Sequence, residues 1–325
     1  MTMRIFRSAR GCLATGVAAA VAAAALAAPA AVAQSDDAAP AAPKNIIVMI
    51  GDGMGYNHVD AANLFQHGET NWQIDVDPAT ETLEHQDQYG QLPSQVYETF
   101  DIQMGMSHHS LNSPVYNGDD AWSDFDWANI DPTDSAASGT SLATGVKTWN
   151  GFLGVDADET PVPNVAEAAA DTGRSTGVVS SVPFGHATPA AWGSHVASRG
   201  ANHEIAGQMI NGPLDVIIGA GHPLYDDDAQ PRDAEWVWLS EDQYNDLAGG
   251  ATEMTFLDTN DELRAVAQGQ EVPEQLFGLV PVAETLQFNR SSLEEAEPRR
   301  DNGREDGVPL EDGVPLPFEP AMNDV

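Results

Sequence analysis

Thr176-Gly177-Val178-Val179-Ser180-Ser181-Val182 is a β-branched run that leads directly into Pro183-Phe184-Gly185-His186-Ala187-Thr188. Before it, residues 164–172 read as a capped, Ala-rich helix stopped by Gly173. A helix, a glycine, a strand and then polar side chains is the order expected of an α/β sheet, whose ligands lie beyond the carboxyl ends of the strands. The theme recurs downstream. A helical segment at residues 203–210 precedes Leu214-Asp215-Val216-Ile217-Ile218-Gly219-Ala220-Gly221. Capping boxes at Ser240-x-x-Gln243 and Thr259-x-x-Glu262 start two more helices. Residues 254–257 and 276–282 complete the alternation as strands. The pattern predicts an α/β fold with a mostly parallel central sheet and helices on both faces.

Upstream, Lys44-Asn45-Ile46-Ile47-Val48-Met49-Ile50 is an apolar run ending in Gly51-Asp52-Gly53-Met54-Gly55. It reads as a buried strand delivering one carboxylate, Asp52, into a glycine-lined turn. Residues 57–65 have helical periodicity, with Val59, Ala62 and Leu64 or Phe65 facing the sheet. Residues 69–118 are polar and read as loops carrying one strand near residues 96–106. His58 reads as a surface or hydrogen-bonded histidine. His108 and His109 are adjacent and point apart, which argues against a shared metal. Trp122, Phe125 and Trp127 read as packing under an acidic loop.

Between these segments lies Thr133-Asp134-Ser135-Ala136-Ala137-Ser138-Gly139-Thr140. Thr133 or Asp134 caps a helix that carries Ser135 in its first turn and closes at Gly145. Free N–H groups and the positive end of the helix dipole favour an anion beside Ser135. That makes Ser135 a candidate nucleophile for an anionic substrate, with Asp134 placed to hold a cation or an arginine. An ordinary capped helix is the competing reading of this stretch taken alone.

Taken together, three blocks resemble the alkaline phosphatase family: residues 45–55, residues 133–156, and His186-Ala187-Thr188-Pro189-Ala190-Ala191 with His195-Val196-Ala197-Ser198-Arg199. The resemblance implies hydrolysis of phosphate monoesters through a phosphoserine intermediate, assisted by zinc and magnesium. It makes Ser135 the nucleophile and a zinc contact, Asp52 a bridge between zinc and magnesium, and Arg199 the clasp on two phosphoryl oxygens. Thr188 and His186 fall on the magnesium side. Part of the family has aspartate at the His186 position, and imidazole suits magnesium less well than carboxylate does. His195 reads as structural. Related phosphodiesterases and sulfatases, and an inactive acidic cation-binding protein, are the competing functions. A sulfatase is disfavoured because Ala-Ala-Ser follows Ser135.

The family's later zinc-binding blocks have no counterpart here, so the sequence reads as the N-terminal part of a longer enzyme with an incomplete sheet. Residues 1–33 have the arginines, apolar run and small-residue cleavage site of a secretory signal peptide, which implies a secreted or periplasmic protein and no membrane attachment after cleavage; a retained membrane anchor is the competing reading. Residues 34–43 form a tether, residues 44–290 the catalytic core, and residues 291–325 an acidic low-complexity tail with a tandem Glu-Asp-Gly-Val-Pro-Leu repeat. Cys12 is the one cysteine and lies in the leader, so a cysteine-ligated zinc site is excluded in the mature part.

Charge is the other compositional signal. Lys and Arg total 13 against 50 Asp and Glu, a formal −37. Such a surface repels nucleic acid and anionic membranes, and it suits high salt, where screening shortens self-repulsion to a few ångströms. A phosphate ester therefore needs a local reversal of field at its site. The homodimer common in the family is implied by the resemblance and by no surface feature of the sequence.

Overall fold

The computed structural model describes residues 44–67, 74–76, 83–85, 95–102, 104–124, 126–270 and 272–286. The stretches read as a signal peptide, a tether and an acidic tail lie outside the described residues, as do Phe125 and the Trp122 side chain. The chain divides into two compact units, one ending at Ile50 and the other beginning at Gly51.

In the first unit, residues 44–50 adopt neither helix nor strand, and Ile46, Ile47, Val48 and Met49 are exposed. The buried strand expected there is therefore not formed. β-branched side chains favour an extended backbone, but a strand exists only through hydrogen bonds to a neighbour.

The second unit begins with α1 (Tyr56–His67), the short antiparallel pair β1 (Ile74–Val76) and β2 (Leu83–His85), and α2 (Gly118–Ser123). In α1 the buried side chain is Asn63, while Leu64 and Phe65 are exposed, contrary to the periodicity argument. Asn63 Nδ2 donates to the Glu98 carboxylate, which accounts for a buried amide on that face. The strand expected at residues 96–106 is instead a 3-10 turn at Val96–Thr99, and residues 100–102 and 104–106 form neither helix nor strand. Glu98 caps its own turn by accepting from Gln95 N–H, which competes with an extended ladder.

The main sheet is parallel. Its strands are β3 (Gly177–Pro183), β4 (Val216–Ala220), β5 (Thr255–Leu257) and β6 (Leu276–Leu279), in the order β3-β4-β6-β5. Connecting them are α3 (Ser135–Thr144) and α4 (Val165–Ala170) before β3, and α5 (Ala187–Ala190) and α6 (Asn202–Ile210) between β3 and β4. The helix α7 (Glu241–Ala248) precedes β5, and α8 (Asn260–Ala267) joins β5 to β6.

Alternate residues of each strand point to opposite faces. Ile217 and Phe277 therefore enter one core with Ile205, Met209 and Leu247 from α6 and α7. Ile218 turns to the other face, where Leu263 of α8 packs with Val280 and Val282. Helices thus cover both faces, as the alternation predicts, and the sheet has four strands among the described residues.

Candidate active site

The Ser135 helix starts as its sequence requires. Asp134 is its N-cap, with an extended backbone and a side-chain Oδ1 that accepts from Ala137 N–H at 2.8 Å. At the other end Gly145 takes the left-handed conformation at φ +75°, which lets the chain leave α3 without a Cβ clash. Ser135 occupies the first helical position and is half-buried.

The second carboxylate oxygen of Asp134 faces across the site. Asp134 Oδ2 accepts from Arg199 Nη1 at 3.1 Å and from Gly151 N–H at 3.0 Å. The arginine that Asp134 was expected to hold is therefore Arg199. The other terminal nitrogen of the fork, Nη2, lies 3.1 Å from His186 Nε2. With Arg199 as the obligate donor, His186 presents a lone pair at Nε2 and its proton at Nδ1, a buried atom with no hydrogen-bond partner among the described residues. Burial and the Arg199 charge hold the His186 pKa below the usual imidazole range, against an opposing pull from the Asp52 carboxylate. The neutral ring is thereby favoured near neutrality.

His186 follows β3 and is the residue before α5, so the sheet delivers it at its carboxyl end. Two residues on, Thr188 Oγ1 donates to Asp52 Oδ2 at 2.8 Å. A connected line of contacts and short backbone steps thus runs from Asp52 through Thr188, His186, Arg199 and Asp134 to the first turn carrying Ser135. The five residues singled out from the sequence fall on this line. Asp52 sits in a turn, with Gly53 at φ +71° and Met54 N–H bonded to Gly51 C=O.

Residues to which the sequence reading gave no role support the site. Asn150 caps the loop before α3, and Trp238 lies beside His186 with ring centroids 6.2 Å apart. His195 is held from both sides, Nε2 2.8 Å from Glu167 Oε1 and Nδ1 2.6 Å from Gly154 C=O. Both ring nitrogens are thus engaged within the protein, which fits its reading as a structural residue. His58 likewise makes a local bond, Nδ1 accepting from Gly55 N–H.

The Asp52 carboxylate and the Thr188 hydroxyl are hard oxygen donors in contact, a pair suited to magnesium. Zinc is different. Among the described residues no group of three or more His, Cys, Asp or Glu side chains could hold a metal ion, and a catalytic zinc commonly uses three protein ligands. The described residues alone do not fit a zinc site.

A parallel α/β sheet with a serine on a helix N-terminus and an arginine fork beside it defines an α/β protein with a candidate oxyanion site. A family model described as alkaline phosphatase matches residues 43–298, and the chain belongs to the alkaline phosphatase family. It is 34% identical over 190 residues to alkaline phosphatase 4 of Bacillus subtilis (strain 168), covering 56% of this chain and 34% of that protein. Against the alkaline phosphatase of Escherichia coli (strain K12) the identity is 31% over 212 residues, or 59% of this chain and 38% of the relative. The chain thus spans little more than a third of the length of these curated relatives. Among solved structures, a cold-active alkaline phosphatase from the psychrophile Shewanella sp. aligns with a TM-score of 0.46 at 25% identity, over 75% of this chain and 48% of the other.

Proposed function

We propose that the chain carries the nucleophile and the phosphate clasp of a metal-dependent phosphomonoesterase, working through a phosphoserine at Ser135. The observation that supports this best is the Asp134–Arg199–His186 arrangement beside the first turn of α3. Arg199 enters the site with its fork oriented by an acceptor on each side. A guanidinium so oriented matches two phosphoryl oxygens of a dianion. The N-terminus of α3 adds backbone N–H dipoles to the same charge.

In the proposed reaction Ser135 Oγ attacks phosphorus in line with the ester oxygen, the P–O bond to the alcohol breaks, and the alcohol leaves with a proton. Water then cleaves the Ser135 phosphoester to release inorganic phosphate. Arg199 holds the phosphoryl oxygens through both steps, and Asp134 keeps the fork from swinging away. Asp52 and Thr188 would hold magnesium, whose charge would favour the deprotonated serine and the developing negative charge. No step is assigned to zinc. Action after export, on the leader read at residues 1–33, and the homodimer expected from the resemblance belong to this proposal.

The test compares turnover of p-nitrophenyl phosphate, bis-p-nitrophenyl phosphate and p-nitrophenyl sulfate by the full chain supplied with zinc and magnesium. The proposal expects preference for the monoester and its loss in Ser135→Ala. Preference for the diester or the sulfate would replace it with the corresponding hydrolase.

A further inference from the structure

We infer that Asn150 is a positioning residue for the Arg199 fork, acting through Asp134 rather than by touching substrate. The inference rests on the proposed role of Arg199. Both polar groups of the Asn150 side chain are committed to the segment before α3. Its Oδ1 accepts from Asp134 N–H at 3.1 Å, and its Nδ2 donates to Pro132 C=O at 2.9 Å. Its own N–H donates to Asn112 Oδ1 at 2.7 Å. The side chain therefore bridges two backbone groups on either side of Thr133, just before α3, fixing where Asp134 leaves the chain.

The next residue completes the device. Gly151 N–H donates to Asp134 Oδ2, the oxygen that also receives Arg199 Nη1. Gly151 C=O accepts from Arg199 N–H at 2.7 Å. The Asn150-Gly151 pair thus touches the backbone of Asp134, its carboxylate and the backbone of Arg199. Gly151 has φ +86°, a conformation that places both of its backbone groups in these bonds and that other residues adopt poorly. Ser113 Oγ donates to Asp131 C=O, so the segment before Asp134 is pinned from a second side, next to Asn112. With this second attachment, α3 is expected to keep its fold when Asn150 is shortened. The distance between the nucleophile's helix and the arginine fork is consequently set by a dipeptide that begins 15 residues after Ser135 and ends 48 residues before Arg199.

The test is a double-mutant cycle on the full chain supplied with zinc and magnesium, reading inorganic phosphate affinity by calorimetry. Asn150→Ala is expected to weaken phosphate binding by roughly fivefold or more, the loss a hydrogen-bonded orienting group commonly brings. In an Arg199→Ala background the same substitution is expected to change affinity little, because the group it orients is gone. Asn112→Ala, at an exposed position, is expected to act in the same direction and more weakly. Equal weakening in both backgrounds would overturn the inference, as would no effect of Asn150→Ala when Arg199→Ala itself has one. Guanidinium NMR of Arg199 without phosphate separates this inference from the functional reading beneath it. Asn150→Ala should speed rotation of the Arg199 terminal nitrogens, and unchanged rotation would sink the positioning role. If the rotation responds but the wild-type chain binds no phosphate, the positioning stands and the phosphatase reading falls.

Discussion

Arg199 is the residue on which charge and geometry meet, because its two terminal nitrogens face different partners, a carboxylate and a neutral imidazole. A lysine would keep the charge and lose the planar fork. Arg199→Lys should therefore retain the fold and weaken competitive inhibition by phosphate about tenfold or more, checked by inhibition constants at fixed ionic strength. His222 offers a second residue-scale test, away from this site. It is buried, its Nδ1 accepts from Leu224 N–H, and Tyr225, Tyr244, Asp258 and Arg232 surround it. Burial holds its pKa below the usual imidazole value despite Asp258, and burial with the same carboxylate pushes the Tyr244 hydroxyl up to about 12. A histidine with a lowered folded pKa binds its proton more weakly when folded than when unfolded. Its contribution is therefore fully present above the unfolded value, about 6.5, and is lost as pH falls through that value toward the folded one. His222→Gln should accordingly lose less Tm than wild type between about pH 7.5 and about pH 5.5. An identical loss in both proteins would show that His222 does not carry this linkage.

At the scale of elements, the loop and strand that bring Arg199 to α3 depend on one close approach. Leu153 and Val196 form an isolated antiparallel bridge, and Gly154 beside it has φ +60°. A Cβ there would collide with Ser194 C=O and lie 2.7 Å from His195 Nδ1. Gly154→Ala should destabilise the fold by about 3 kcal/mol, combining left-handed strain with overpacking, measurable as a lower urea midpoint. Much of this level was legible beforehand. Asp134, Asn164, Ser240 and Thr259 each cap the helix their sequence announces, because capping is a local event over four residues. The strand-then-polar order also found His186, Thr188 and the sheet around them. What depended on distant partners was not legible. The apolar run at residues 44–50 has strand composition without becoming one here, and Asn63 is buried where Leu64 was expected because Glu98, far along the chain, satisfies it. Asn150 lies within the block at residues 133–156, but its role was not legible for the same reason. An Asn-Gly pair reads as a turn, and nothing nearby in sequence says that its amide caps another loop.

For the whole molecule the dominant quantity is the formal charge of −37. Self-repulsion of that size opposes compaction, and screening contracts from about 10 Å at 0.1 M salt to about 3 Å at 1 M. The Tm of the full chain should therefore rise as NaCl is raised from about 0.1 M to about 1 M, while potassium chloride at equal ionic strength gives the same gain. A fall with either salt would remove the electrostatic account. For the proposed function the same charge sets a condition on the site, since a phosphate dianion approaching an acidic protein needs a local field of opposite sign. Arg199 and the α3 N-terminus supply one, oriented before substrate arrives. The most direct measurement of the central claim is peptide-level mass spectrometry of the full chain after brief incubation with p-nitrophenyl phosphate, zinc and magnesium, followed by acid quenching. The account predicts one phosphoryl group on Ser135, absent in Ser135→Ala and diminished in Arg199→Ala; ester hydrolysis that leaves Ser135 unmodified and survives its replacement by alanine would contradict it.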